Sequence, residues 1–132
     1  MITAIDSSIL LSVFKDEPSA SRCLDLMEHA ARMGEIVICD IVVAEVGALF
    51  GSFVDFQGTW MKLGIRYDAI AEKTAHYAGL MFRHYRQEGG PRDYLIPDFL
   101  IGAHAFHQAN QLIARDRGYL RRYFKSLKVI ES

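Results

Sequence analysis

The chain has 132 residues, of which 51% are hydrophobic and 23% are charged, enough apolar material for one packed core, so we predict a single domain over residues 1–132. Its apolar runs are shorter than the roughly 18–20 residues that span a bilayer, and Asp6 interrupts the N-terminal one, so a membrane helix and a signal peptide are not expected. With only Cys23 and Cys39, a disulfide framework is not expected either, which favours the cytoplasm.

The net charge of −1 combines two unlike halves of the chain. Residues 1–82 contain six Lys/Arg and eleven Asp/Glu, a net of −5, whereas residues 83–132 contain nine and five, a net of +4. A basic second half is suited to face a polyanion such as RNA. Solvated surface arginines give the same count, so charge alone does not favour an RNA site.

Short apolar runs alternate with helical patterns along the chain. In chain order, the first half predicts a strand over 2–5, helices over 7–14 and 19–33, a strand over 35–39, a helix over 41–50 capped by Asp40, and short helices near Gly51 and Gly58. The second half predicts a strand or loop over 63–67, helices over 69–86 and 97–109, a strand over 111–114, a turn over 115–119, a helical turn over 121–125 and an edge strand over 128–130. This alternation indicates an α/β fold with a largely parallel sheet.

Four acidic residues are predicted to meet at one edge of that sheet. Asp6 and Asp116 follow two strands at their carboxyl ends, where open α/β sheets bind ligands. Asp98 lies in the first turn of its helix, and Glu45 lies one turn inside the helix that leaves the second strand. Like charges so close together persist when a cation neutralises them, and ligands that are all oxygen select Mg²⁺ or Mn²⁺. Such a site suits hydrolysis of a phosphodiester by an activated water.

Each of these acids also has a structural interpretation. Asp98 fits a helix start and Asp116 fits a turn, and for either residue alone this interpretation is favoured. Asp6 and Glu45 are placed in apolar surroundings, where an unpaired carboxylate is expensive, so their pattern favours a functional role.

Several other polar residues near the predicted site are candidates for substrate contacts. Ser7 and Ser8 follow Asp6 and are suited either to hold a phosphate or to cap a helix. The candidates for phosphate contacts in the basic half are Arg92, Arg115, Arg117, Arg121 and Arg122. His104 and His107 are three residues apart on one predicted helix but lack a third ligand, so packing is the expected role for both.

The motifs together resemble one known family over essentially the whole chain. The matching pieces are the opening IDSSILL, Glu45 in VVAEV, Asp98 in IPDFLIGAHA, and LIARDRGYLRRYF followed by KVI. This ordered set resembles a PIN domain and, within that family, a VapC-type toxin of a toxin–antitoxin pair.

The resemblance implies a three-layer α/β/α sandwich with Mg²⁺- or Mn²⁺-dependent endoribonuclease activity, a homodimer, and inhibition by a small antitoxin. It implies that Asp6, Glu45 and Asp98 bind the metal, with Asp116 as the fourth acid. It also implies that the hydroxyl of Ser7 or Ser8 contributes to the site. The chain departs from the family at Ala114, where a Thr or Ser often stands two residues before the fourth acid.

Two other functions use the same features. One is a DNA nuclease or phosphatase built on the same acids, although Ser8 stands where a HAD-type phosphatase would have an aspartate. The other is a protein-binding module with weak or no catalysis, docking through Phe53, Phe56 and Trp60. The same three side chains are equally suited to a hydrophobic core.

Overall fold

The computed structural model describes residues 1–90, 93–115 and 118–131. In chain order its elements are β1 (Ile2–Ile5), α1 (Ser7–Phe14), α2 (Ala20–Met33), β2 (Glu35–Ile38), α3 (Asp40–Gly47), α4 (Phe53–Leu63), β3 (Ile65–Tyr67), α5 (Glu72–Gln87), α6 (Ile96–Gln108), β4 (Gln111–Ala114), α7 (Gly118–Tyr123) and β5 (Lys128–Glu131). The predicted α/β class is confirmed. No helix in the described part of the chain is both long and apolar enough to cross a membrane.

The five strands form one sheet in the order β3-β2-β1-β4-β5, and every neighbouring pair is parallel. The chain therefore moves from β1 to one side of the sheet and later returns to place β4 on the other side. Right-handed crossovers put α1–α4 on one face and α5–α7 on the opposite face, which is the expected three-layer sandwich. The strand order changes direction between β1 and β4, and sheets of this kind bind their ligands at such a switch point.

Each face of the sheet has its own aromatic cluster. On the first face Phe14, Phe50, Phe56 and Trp60 pack with ring centroids 5.0–6.3 Å apart. Phe56 and Trp60 are therefore core residues, whereas Phe53 is 69% exposed. The second cluster is built from aromatic side chains of α5, α6 and α7 around the fully buried Phe99.

Several element boundaries differ from the sequence prediction because side chains from other elements bind the backbone. Asp40 is the first residue of α3 rather than its cap, and its carboxylate accepts the amide hydrogen of Ile70 instead. The side chain of Gln108 likewise accepts a hydrogen bond from the amide of Ala71. The chain therefore stays extended there, and the helix predicted over 69–86 begins only at Glu72.

The middle of the chain is more regular than the sequence pattern suggests. One helix, α4, replaces the short helices predicted near the two glycines, because Ser52 caps its start and Gly64 ends it in a left-handed conformation at φ 70°. The ambiguous 63–67 segment contains the edge strand β3, which pairs with β2.

Candidate metal centre

Asp6 lies at the switch point of the sheet. Its backbone amide donates to the carbonyl of Ile113 at 3.0 Å, which continues the pairing of β1 with β4 and fixes Asp6 at the carboxyl edge. Its side chain accepts a hydrogen bond from the Ser8 hydroxyl, with a distance of 2.5 Å between Oγ and Oδ2.

Glu45 approaches the same edge from α3. Its Oε1 accepts a hydrogen bond of 2.9 Å from the hydroxyl of Ser7, which is buried at the start of α1. The residue as a whole is exposed, but its carboxyl group is partly desolvated. This carboxyl group lies against the start of α1, where it meets Ser7.

Asp98 lies in the first turn of α6, where its Oδ2 accepts the Leu95 amide hydrogen at 2.8 Å. This bond satisfies a backbone donor at the helix start, so Asp98 fulfils the structural role that sequence analysis considered. Asp98 also lines a cleft of about 180 Å³ together with Asp6, Ser8 and Ala114. The structural role and a site role therefore coexist in one side chain.

The three carboxylates influence one another. Burial raises the pKa of Asp98, and the negative charge of Asp6 raises it further. The hydrogen bond from the Leu95 amide lowers it in part. Desolvation of its carboxyl end likewise raises the pKa of Glu45, where the Ser7 hydrogen bond lowers it and the charges of Asp6 and Asp98 raise it further. Negative charge thus accumulates here without full compensation.

The donor set fits a hard divalent cation in its chemistry, because all its atoms are carboxylate or hydroxyl oxygens and its charge is negative. The side chains are not closed around one point, since no group of three or more His, Cys, Asp or Glu among the described residues is arranged to hold an ion. Each carboxylate instead accepts from a local hydroxyl or amide. Asp116, the predicted fourth acid, lies outside the described residues.

Among the described residues, Arg115 is the cation that lines the cleft, and its side chain binds partners outside the cleft. Its guanidinium donates to the hydroxyls of Ser12 and Ser19 and to Glu17, at 2.7 Å from Ser19 and 3.3 Å from Glu17. It connects the end of β4 to the α1–α2 segment, so this guanidinium is not paired with the carboxylates of the cleft. Its contact with a phosphate stays a prediction.

The other predicted phosphate contacts lie on or near α7. Arg121 pairs with Glu131 at 2.9 Å and Arg122 pairs with Glu88 at 3.0 Å, both with largely exposed side chains. Arg92 and Arg117 lie outside the described residues.

Sequence analysis missed two tyrosines, Tyr94 and Tyr119, which line the cleft beside the acids. The available signal was their position, four residues before Asp98 and three after Asp116. His104, for which packing was expected, is 1% exposed and contacts Asp68 with an Nε2–Oδ2 distance of 2.9 Å, which ties α6 to the end of β3.

Comparisons with known proteins agree on one fold. The family model described as the PIN domain matches residues 3–125. Among solved structures, VapBC2 from Rickettsia felis bound to a promoter DNA fragment superposes with a TM-score of 0.74 at 19% identity, covering 99% of this chain and 98% of that chain.

Two further structures are similar to the chain. A toxin–antitoxin complex from Klebsiella pneumoniae has a TM-score of 0.64 at 22% identity, with 97% and 95% of the two chains covered. VapBC-1 from nontypeable Haemophilus influenzae has a TM-score of 0.70 at 18% identity, with 99% and 98% covered. A sequence comparison with curated proteins finds no match. At these identities, the structural similarity shows the fold.

Proposed function

Because the chain belongs to the PIN-domain family, we propose that it is a metal-dependent endoribonuclease and the toxin of a toxin–antitoxin pair. The observation that carries this proposal is the set of acids at the switch point of the sheet. Asp6 and Asp98 share a cleft, and the negative charge of each raises the pKa of Glu45. The similar structures support the toxin role, since one is described as a toxin–antitoxin complex.

In this proposal Asp6, Glu45 and Asp98 hold Mg²⁺ or Mn²⁺, with Asp116 as a fourth ligand. A bound cation of this kind supplies Lewis-acid activation of a water and of a phosphoryl oxygen. The Ser7 and Ser8 hydroxyls orient the Glu45 and Asp6 carboxylates, and the Leu95 amide orients Asp98.

The proposal includes a small antitoxin, a homodimer and a cytoplasmic location. A surface for one of these partners is available on α4 and the segment before it. Its exposed apolar side chains are Leu49, Phe53, Val54 and Met61. Exposed apolar side chains grouped in this way are typical of protein-binding surfaces.

The test is cleavage of RNA, single-stranded DNA and a generic phosphate ester by the purified protein in Mn²⁺ and in EDTA. We expect Mn²⁺-dependent cleavage of RNA alone. Asp6→Asn and Asp98→Asn should each lower the rate at least about 100-fold, because each removes a charged cation ligand. Asp25→Asn, an exposed α2 position, is the matched control and should cleave normally. An Asp98→Asn protein that folds and cleaves at the wild-type rate would refute the assignment.

A further inference from the structure

A second cleft, the tyrosine cleft, lies beside the acid cleft. It has a volume of about 380 Å³, within the roughly 300–1,000 Å³ of small-molecule sites. Its lining residues are Tyr85, Glu88, Gly89, Gly90, Tyr94, Gly118, Tyr119, Arg122 and Tyr123. Tyr94 and Tyr119 line both clefts, so the two clefts are adjacent.

The aromatic rings of this cleft form a continuous array. Tyr94 and Tyr119 are stacked with centroids 4.0 Å apart and an interplanar angle of 26°. Tyr85 meets Tyr94 edge-on at 5.9 Å and Tyr123 edge-on at 5.8 Å. Tyr85 is buried at 5% exposure, so the partly exposed rings of Tyr94, Tyr119 and Tyr123 are the ones on which a flat ring can stack.

The charge in the tyrosine cleft favours an uncharged occupant. Glu88 accepts hydrogen bonds from the Tyr123 hydroxyl at 2.5 Å and from Arg122 at 3.0 Å. Both bonds hold the pKa of Glu88 below its usual value, and the bond from Tyr123 has the larger effect. Glu88 is therefore ionised near neutral pH. Because Glu88 and Arg122 neutralise each other, the pair leaves no net positive charge for a phosphate, and the cleft suits a base better than the backbone of a nucleic acid.

The cleft has room at one of its glycines, Gly118, whereas a Cβ on Gly90 would lie 2.5 Å from the Tyr85 ring. A Cβ added to Gly118, the first residue of α7, would meet no atom within 4 Å. Because Gly118 also lines the cleft, a larger side chain there is expected to reduce the volume of the cleft.

We propose that the tyrosine cleft binds one nucleobase of a single-stranded RNA, next to the phosphate that lies at Asp6 and Asp98. The inference rests on the proposed nuclease function and adds a subsite for one base of its substrate. A base inside a duplex is already stacked and paired, so only an unpaired base can enter the tyrosine array.

The test compares two probes on the Asp98→Asn protein, which does not cut them. One is fluorescein-labelled octauridylate, and the other is a labelled octamer of abasic ribose phosphates with the same charge. Stacking of one base predicts that octauridylate binds about 5- to 150-fold more tightly in an anisotropy titration.

Two further substitutions assign this difference to the cleft. Tyr119→Leu and Gly118→Leu should each weaken octauridylate binding at least about 5-fold and leave abasic binding unchanged, whereas Tyr119→Phe should keep both affinities. The Gly118 variant removes no ring, so it separates loss of the site from loss of packing against Phe99.

Equal affinity for the two probes, or an equal loss for both in the leucine variants, overturns the inference. If the wild-type protein still cleaves RNA in Mn²⁺, only the nucleobase site is wrong. If it neither binds nor cleaves RNA, the proposed function and the inference fail together.

Discussion

At the scale of single residues, the candidate site is built from helix starts. Ser7 and Ser8 begin α1 and donate to Glu45 and Asp6, while Asp98 binds the amide of Leu95 in the first turn of α6. Each carboxylate is held by one local donor, but none of these donors carries a positive charge. The acids are therefore oriented in advance, and their mutual repulsion remains.

Desolvation of Glu45 and Asp98, with this repulsion added to it, predicts a dependence of stability on pH. The pKa values of Glu45 and Asp98 are raised, so the folded protein binds these protons more tightly than the unfolded chain. The free energy of unfolding should therefore fall as the pH rises from below the ordinary glutamate value of 4.5 through the raised values, and the loss persists at neutral pH.

Glu45→Gln tests this at pH 7 in EDTA. Because it removes one interacting charge and retains an acceptor for Ser7, we expect an increase in the free energy of unfolding of up to about 0.5 kcal/mol, small because the residue is exposed. Urea unfolding at pH 7 and at pH 4 should show this gain only at pH 7. A destabilised variant at neutral pH would contradict the electrostatic explanation.

At the scale of elements, α6 and α7 of the second helical layer pack closely against each other. Gly102 in α6 lets α7 and the residue after it approach so closely that an added Cβ would lie 2.5 Å from the Phe124 ring and 3.0 Å from Leu120. Both partners are buried, so they have little room to move. Because α6 carries Asp98 and α7 carries Tyr119, this contact sets the separation of the two walls of the cleft.

Gly102→Ala is expected to lower the free energy of unfolding by about 1–3 kcal/mol through overpacking. Gly79→Ala is the matched control, because Gly79 is an exposed position in α5 where a Cβ meets nothing within 4 Å. There the better helix propensity of alanine should raise stability by up to about 1 kcal/mol. Urea unfolding measures the free energy of unfolding of both variants. Equal values for Gly102→Ala and Gly79→Ala would exclude a tight α6–α7 contact.

At the scale of the whole molecule, the site connects parts of the chain that are distant in sequence. Asp6 follows β1 in the centre of the sheet, Glu45 comes from the first helical layer and Asp98 from the second. A cation bound by all three would link both layers to the sheet. Its binding energy would then add to the stability of the entire fold.

Mn²⁺ is accordingly expected to raise the melting temperature. At a free concentration about 100 times its dissociation constant, it should stabilise the fold by about 2.7 kcal/mol, or about 10 °C. Asp98→Asn should lose most of this shift, and Asp25→Asn should keep it. Equal shifts in the two variants in a thermal melt would mean that Mn²⁺ binds elsewhere.

Local patterns were sufficient for the elements with clear periodicity. The strands β1 and β4 and the helix α1 have the predicted bounds, because their burial and polarity are encoded in adjacent residues. The starts of α3 and α5 were misplaced because Asp40 and Gln108 bind backbone amides far away in sequence. Contacts between residues so far apart in sequence cannot be read from the pattern of neighbouring residues.

The sequence by itself determined the α/β class, the parallel sheet and the acids Asp6, Glu45 and Asp98 as candidates, since strand ends and isolated charges are visible in one dimension. Only the tertiary structure decided that Asp6 and Asp98 share a cleft, that Arg115 turns to Ser12, Ser19 and Glu17, and that a tyrosine cleft adjoins the acids. The reason is physical: a cleft is defined by the distances and directions of side chains from separate elements, and these follow from how the layers pack.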